Sequence, residues 1–198
     1  MASRLQKSVL LAATFLILAT VVGAAFAMWS ETLRINIIVV TGEVDVEWSD
    51  YWHNDTYEKP DLDVTTVNIT EEEYEDSEVI KLKVEINNAY PCYKVAIFGV
   101  VDNIGTIPVK RESAKIIYDA TEKEIDLDTW YQLDLNNDNL SDIEVLLKLY
   151  EDGGDGSQID PGYNDTYMLV IHVLQEALEN HTYTFELQLT FAQWNEVE

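Results

Sequence analysis

Apolar and polar residues alternate with a period of two along most of this chain. That spacing turns one face of a β-strand inward and the other outward. Residues 182–191 put Tyr183, Phe185, Leu187, Leu189 and Phe191 on one side, and Glu186, Gln188 and Thr190 on the other. Residues 79–86 set Ile80, Leu82, Val84 and Ile86 against Lys81, Lys83 and Glu85. Val44, Val46 and Trp48 repeat the pattern, and residues 143–150 and 168–174 predict further strands. Residues 95–101 are nearly all apolar, which predicts a strand buried on both faces. Asn103-Ile104-Gly105 predicts a turn, followed by an extended segment over 107–110 whose Pro108 suits a sheet edge. Helical signals are short: one acidic turn over 71–76 and a connection over 174–180. Eight or so strands with turn signals between them predict an all-β fold, an antiparallel jelly-roll-like sandwich.

The N-terminal region has a different pattern. Arg4 and Lys7 precede an apolar run from Val9, which ends in Ala25-Phe26-Ala27. A basic stretch, an apolar stretch and an A-x-A site describe a secretory signal over residues 1–27, cleaved after Ala27. A retained membrane anchor is the alternative, since about 20 apolar residues span a bilayer. Residues 32–40 then alternate, with Leu33, Ile35, Ile37 and Val39 on one face, and stop at Thr41-Gly42. A free apolar strand next to a cleavage site is an aggregation hazard unless something receives it. Residues 28–41, with the strand itself over Trp29–Val40, are therefore expected to form a donor segment that completes the sheet of the next subunit. The sandwich itself is assigned to 42–198. Four aliphatic side chains at about 1.5–3 kcal/mol each give roughly 6–12 kcal/mol of gross burial. Donor and acceptor surfaces differ, so the contact is heterologous and builds an open polymer where it does not close. An ordinary first strand of the chain's own sheet is the plain alternative.

Charge narrows the partners. The chain holds 12 Lys and Arg against 37 Asp and Glu, a net −25. Arg4 and Lys7 are the only charges in the first 27 residues, so the remainder carries −27. Such a surface disfavours nucleic acid and, once the signal is removed, anionic membranes, and it suits hard divalent cations. Cys92 is the single cysteine, so no intrachain disulfide forms; beside Pro91 it reads as a small buried hydrophobe. N-glycosylation sequons stand at Asn54, Asn68, Asn139, Asn164 and Asn180, and predict surface loops.

The stretch "FAMWSETLRINIIVVTGEVDVEW" resembles the mature start of secreted filament subunits of the TasA/camelysin-like group, which includes archaeal bundling pilins. "NNAYPCYKVAIFGVVDNIGTIPVKR" (87–111) and "IHVLQEALENHTYTFELQLTFAQWNEVE" (171–198) resemble further blocks of that group. The resemblance implies a jelly-roll-like sandwich, extracellular filaments of one repeated subunit, and strand donation by the N-terminal segment. Subunits of cannulae, calcium-associated tubes between archaeal cells, look like relatives. Camelysin-like proteins have been labelled metalloproteases. This chain lacks H-E-x-x-H, and its histidines are His53, His172 and His181.

The sharpest local motif is "DLNNDNLSD", where Asp134, Asn136, Asp138 and Asp142 follow a D-x-N-x-D-x-x-x-D spacing. Oxygens at alternate loop positions can converge on one Ca²⁺. The loop departs from an EF-hand, with Asn139 at the glycine position and Val145 at the closing glutamate position. A second acidic stretch over 150–165 fits no coordination template. No nucleophile elbow, phosphate loop or catalytic dyad is present, so a non-enzymatic role is expected. The expectation is a structural subunit of an extracellular homo-polymer, assisted by calcium. The alternatives are a monomeric, calcium-stabilised surface adhesin and, on the acidic clusters alone, a secreted hydrolase.

Overall fold

The computed structural model describes residues 2–29, 42–55, 64–72, 74, 76–150 and 158–197, with side chains of the first stretch described over 6–24. The donor segment expected over 28–41 thus lies outside the described residues, apart from the backbone of 28 and 29. Two compact units divide the chain, Met1–Val40 and Thr41–Glu198. The boundary falls between Val40 and Thr41, just before the Thr41-Gly42 pair that the hydrophobic pattern marks.

The first unit contains helix α1, Ala2–Trp29. It is apolar all round rather than on one stripe, the mark of a helix matched to lipid or to a deep core. Its span Gln6–Ala24 has a mean hydropathy of 2.0 and is long and apolar enough to cross a membrane. A signal sequence near an N-terminus has the same character.

The second unit is all-β. Ten strands follow in order: β1 (Val46–Asn54), β2 (Thr66–Glu72), β3 (Val79–Ala89), β4 (Lys94–Asn103), β5 (Val109–Tyr118), β6 (Thr121–Glu124), β7 (Trp130–Leu133), β8 (Ile143–Tyr150), β9 (Asn164–Val173) and β10 (His181–Gln193). They form two antiparallel five-stranded sheets. Sheet I runs β1-β4-β9-β8-β7 and sheet II runs β2-β3-β10-β5-β6. The chain changes sheet between β1 and β2, β3 and β4, β4 and β5, β6 and β7, and β9 and β10, so the two layers are interwoven.

Alternation builds the interior. Leu82, Val84 and Ile86 of β3 face Tyr183, Phe185 and Leu187 of β10 in register, all buried. Across the layers, Tyr167 of β9 meets Phe191 of β10 edge to face, with ring centroids 6.2 Å apart. Burial raises the Tyr167 hydroxyl pKa well above the tyrosine range, with Arg111 opposing and Asp165 adding to the shift. Strand β4 is buried on both sides over 95–99, as its unbroken apolar run predicts. Gly99 is required there: a Cβ would lie 2.4 Å from the Trp48 ring, which rests on its backbone.

Three local expectations are revised. Glu71 and Glu72 end strand β2, and the turn comes later, at 77–78. Residues 174–180 form turns, not a helix, and Asn180 reverses the chain at φ 53. After Pro108, β5 pairs with β10 on one side, while on the other short β6 reaches only Lys115–Tyr118 and a single bridge joins Ile159 to Val109; Pro108 stands just outside β5, its carbonyl accepting from the Trp194 amide at 3.1 Å. Cys92 is exposed rather than buried. It occupies a left-handed position (φ 70), with its amide bound to the Val173 carbonyl at 2.9 Å, which turns the side chain outward. Among the described residues, the other six non-glycine positions with positive φ are all Asn or Asp, the types that tolerate that conformation best.

Replacing Gly99 by Ala is expected to destabilise the sandwich, because Trp48 must leave its seat on β4. Urea denaturation of Gly99→Ala should show a lower midpoint with an unchanged slope.

Candidate functional site

The N-terminal segment joins the sandwich at Gly42, and the sequence around that point is held unusually well. The Glu43 amide donates to the Thr106 hydroxyl at 2.8 Å, and the Thr106 amide donates to the Glu43 carbonyl at 2.9 Å. The Ile104 and Gly105 amides both reach the Asp45 carbonyl at 3.0 Å. The Ser77 hydroxyl donates to the Val44 carbonyl at 2.9 Å, and the Val46 amide to the Ser77 carbonyl at 3.0 Å. Gly42 lies so close to Ile107 that a Cβ would overlap Cγ2, at 1.8 Å. That methyl belongs to a β-branched side chain and cannot swing aside freely.

Behind this seat is Asn103, fully buried at the end of β4. Its Nδ2 donates to the Ile107 carbonyl at 2.9 Å and the Ile159 carbonyl at 2.8 Å; its Oδ1 accepts from the Gly105 amide at 3.0 Å. One carboxamide therefore fixes both the 104–107 loop and the return of the chain at Ile159. Sequence reading marked Asn103 only as part of a turn. Nothing in the local pattern signals partners 56 residues away.

The acidic motif is the loop between β7 and β8. Asp142 is buried at its C-terminal end, and its carboxylate collects four donors. Oδ2 accepts from the Leu135 amide at 2.7 Å and the Asn136 amide at 3.1 Å; Oδ1 accepts from Asn136 Nδ2 at 2.9 Å and the Tyr183 hydroxyl at 3.1 Å. Asp134 accepts from the Asp138 and Asn139 amides, at 3.2 and 2.8 Å. Asn136 Oδ1 shares the Asp138 amide at 2.9 Å, and Asp138 Oδ1 takes the Leu140 amide at 2.8 Å. The loop thus winds around its own acceptors, with Asn137 (φ 60) and Asn139 (φ 70) at its left-handed corners. Spacing brings Asp134 and Asn136 oxygens to one amide, whereas Asp142 is directed into the body. No group of three or more His, Cys, Asp or Glu side chains converges as a metal cluster among the described residues.

The remaining candidates separate. All five sequon asparagines, Asn54, Asn68, Asn139, Asn164 and Asn180, are exposed. His172 on β9 pairs through Nδ1 with Glu144 at 2.8 Å, and His181 meets the Tyr183 ring. A cleft of about 390 Å³ between β1 and β2 gathers Asp45, Glu47, Glu71, Glu72 and Asp76. Burial, then the Glu47 charge, raises the Glu71 carboxyl pKa. These acids are distant in sequence, so only strand pairing reveals the cluster. Comparison of the chain with protein-family models, with curated proteins and with solved structures returns no match.

Asp142→Asn places an amide donor among four existing donors, and is expected to cost about 1–3 kcal/mol in chemical denaturation. Burial pushes the Tyr183 hydroxyl up to about 12, against an ordinary 10, with the backbone contact to Leu178 opposing and Asp142 adding to the shift. A raised folded pKa gives stability that is complete below pH 10 and lost as pH rises toward 12. Tyr183→Phe should therefore flatten the alkaline part of the stability–pH curve.

Proposed function

We propose that this chain is a structural subunit of an extracellular filament, polymerising head to tail by donation of its N-terminal segment to the next subunit. The observation that carries the reading is the division at 40/41. The ten described strands and their closed interior all lie after it, and the apolar strand pattern of 32–40 lies before it. Nine residues in extended form reach about 30 Å, enough to run the length of one sheet edge.

Further observations support it. Residues 42–45 are clamped by Thr106, by the Ile104 and Gly105 amides and by Ser77, so tension on the segment passes into β1 and β4 rather than into a loose tail. Among the described residues the sheet edges are only partly covered. β1 and β2 form one flank; on the other, four-residue β6 and β7 pair with Lys115–Tyr118 of β5 and Ile143–Leu146 of β8, with single bridges from Ile159 to Val109 and from Leu127 to Leu147. Trp48 on edge strand β1 is 6% exposed, and its Nε1–H has no acceptor among the described residues. Such an N–H calls for an acceptor from outside them, a carbonyl or a water. The sandwich supports the jelly-roll-like reading at the level of two interwoven antiparallel layers.

Calcium belongs to the proposal at the outer rim of the 134–142 loop. Each carboxylate oxygen keeps a second lone pair beyond its amide bond. Asp134, Asn136 and Asp138 would supply ligand oxygens, with Asp142 holding the loop through Tyr183. Secretion through the α1 segment completes the reading.

Electron microscopy of the purified protein is the direct test: filaments are expected, and a uniformly monomeric sample overturns the proposal in favour of a monomeric adhesin. Deleting 29–40 should abolish polymers while leaving a cooperative melt. Gly42→Val, which forces Ile107 aside, should weaken assembly far more than it lowers the melting temperature. Calorimetric titration of Ca²⁺ should show binding that Asp138→Asn removes; absence of heat, with assembly unchanged in chelator, removes calcium from the reading.

A further inference from the structure

Strand β2 closes one flank of sheet II. Among the described residues it has a ladder on one side only, to β3 along all seven of its residues. The unpaired side of such a strand is a template for another. Val67 and Ile69 pack toward the core, while Thr66, Asn68, Thr70 and Glu72 alternate with them. A groove of about 600 Å³ lies against Val67, Asn68, Ile69 and Thr70.

Charge selects what fits this edge. At its Glu72 end is the cleft of Asp45, Glu47, Glu71, Glu72 and Asp76, and none of the five is in an ion pair among the described residues. The base facing Glu72 from β3 is Lys81, which pairs with Glu186 at 3.3 Å and lies 4.5 Å over the Tyr74 ring. Arg34 is the one base between Lys7 and Lys59, and it alternates with the apolar row Leu33, Ile35, Ile37 and Val39. A strand carrying that row and that guanidinium complements both the half-buried edge and the acids at its end.

The direction of the added strand follows from where the N-terminal segment leaves the sandwich. Val44 and Val46 bind Ser77, just before β3 begins, and Glu72 pairs with Lys81 near the same end. Thr66 pairs with Asn87, toward the end of β3, so the far end of β2 is remote from the root at Gly42. A strand added antiparallel to β2 brings its own root to the Thr66 end. Its body then lies beyond that end, head to tail and clear of the acceptor's root. A parallel strand would set the two roots side by side.

We propose that residues 34–40 of one copy pair antiparallel with β2 of the next, with Arg34 opposite Glu72 and Val40 opposite Thr66. The inference rests on the strand donation proposed above and names its acceptor edge and register. Seven residues meet seven. Ile37 faces Ile69 and Val39 faces Val67, while Arg34, Glu72 and Lys81 form a cross-strand row of alternating charge. Glu71, opposite Ile35, borders the cleft that the guanidinium enters.

The test uses the full chain with Cys92→Ser throughout. Asn36→Cys with Thr70→Cys joins a facing pair of this register. Asn36→Cys with Glu112→Cys samples the part of β5 on the other flank that β6 does not reach. Under mild oxidation in expressing cells, the first pair should give a ladder of disulfide-linked oligomers and the second none. In purified protein, Arg34→Glu and Glu72→Arg should each raise the concentration needed for assembly about tenfold, and the two together should restore it, with a cooperative melt in every variant. A ladder from the Glu112 pair overturns this edge and leaves strand donation standing. Filaments indifferent to both charge reversals overturn the register in the same way. A parent protein that stays monomeric overturns both proposals.

Discussion

The sandwich depends on the apolar layer between its sheets. With one cysteine in the chain, no covalent staple substitutes for that layer. Tyr167 against Phe191 and the in-register facing of β3 and β10 fill it. The interwoven path of the chain makes the closure cooperative, because five connections pass from one sheet to the other and neither layer is built from a continuous stretch.

Polar groups within that closure are few and well matched. Asn103 and Asp142 lie at opposite ends of the sandwich, and each gathers chain segments remote in sequence. Asn103 holds the loop against which residues 42–45 are seated; Asp142 ties the acidic loop to β10 through Tyr183. The root of the N-terminal segment and the acidic loop are therefore each coupled to the interior by one buried side chain. In the filament reading, load enters at the first of these and ionic conditions act near the second.

How much was legible in the sequence follows from how strongly each segment alternates. β3, β8 and β10 were plain because one face is uniformly apolar. β2 was missed because Val67 and Ile69 alone carry its inward face, while Glu71 and Glu72 suggest a turn. Short β6 is exposed throughout and leaves no periodic trace. The 134–142 spacing predicts a cation loop, and the structure shows a loop whose side-chain oxygens are bound to its own amides. The inward turn of Asp142 was invisible because Tyr183 lies 41 residues away. Cys92 misled because residue type suggested burial, whereas backbone conformation decided its direction.

The left-handed corners have a thermodynamic consequence of their own. Asn88, Asp119, Asp128, Asn137, Asn139 and Asn180 turn the chain where glycine is the usual choice. A glycine at each would widen the denatured ensemble and add to the entropy surrendered on folding, while relieving the left-handed strain that Asn and Asp tolerate best among side-chain-bearing residues. Side chains at the bends thus oppose unfolding from the disordered side of the equilibrium, a contribution that no inventory of native contacts contains.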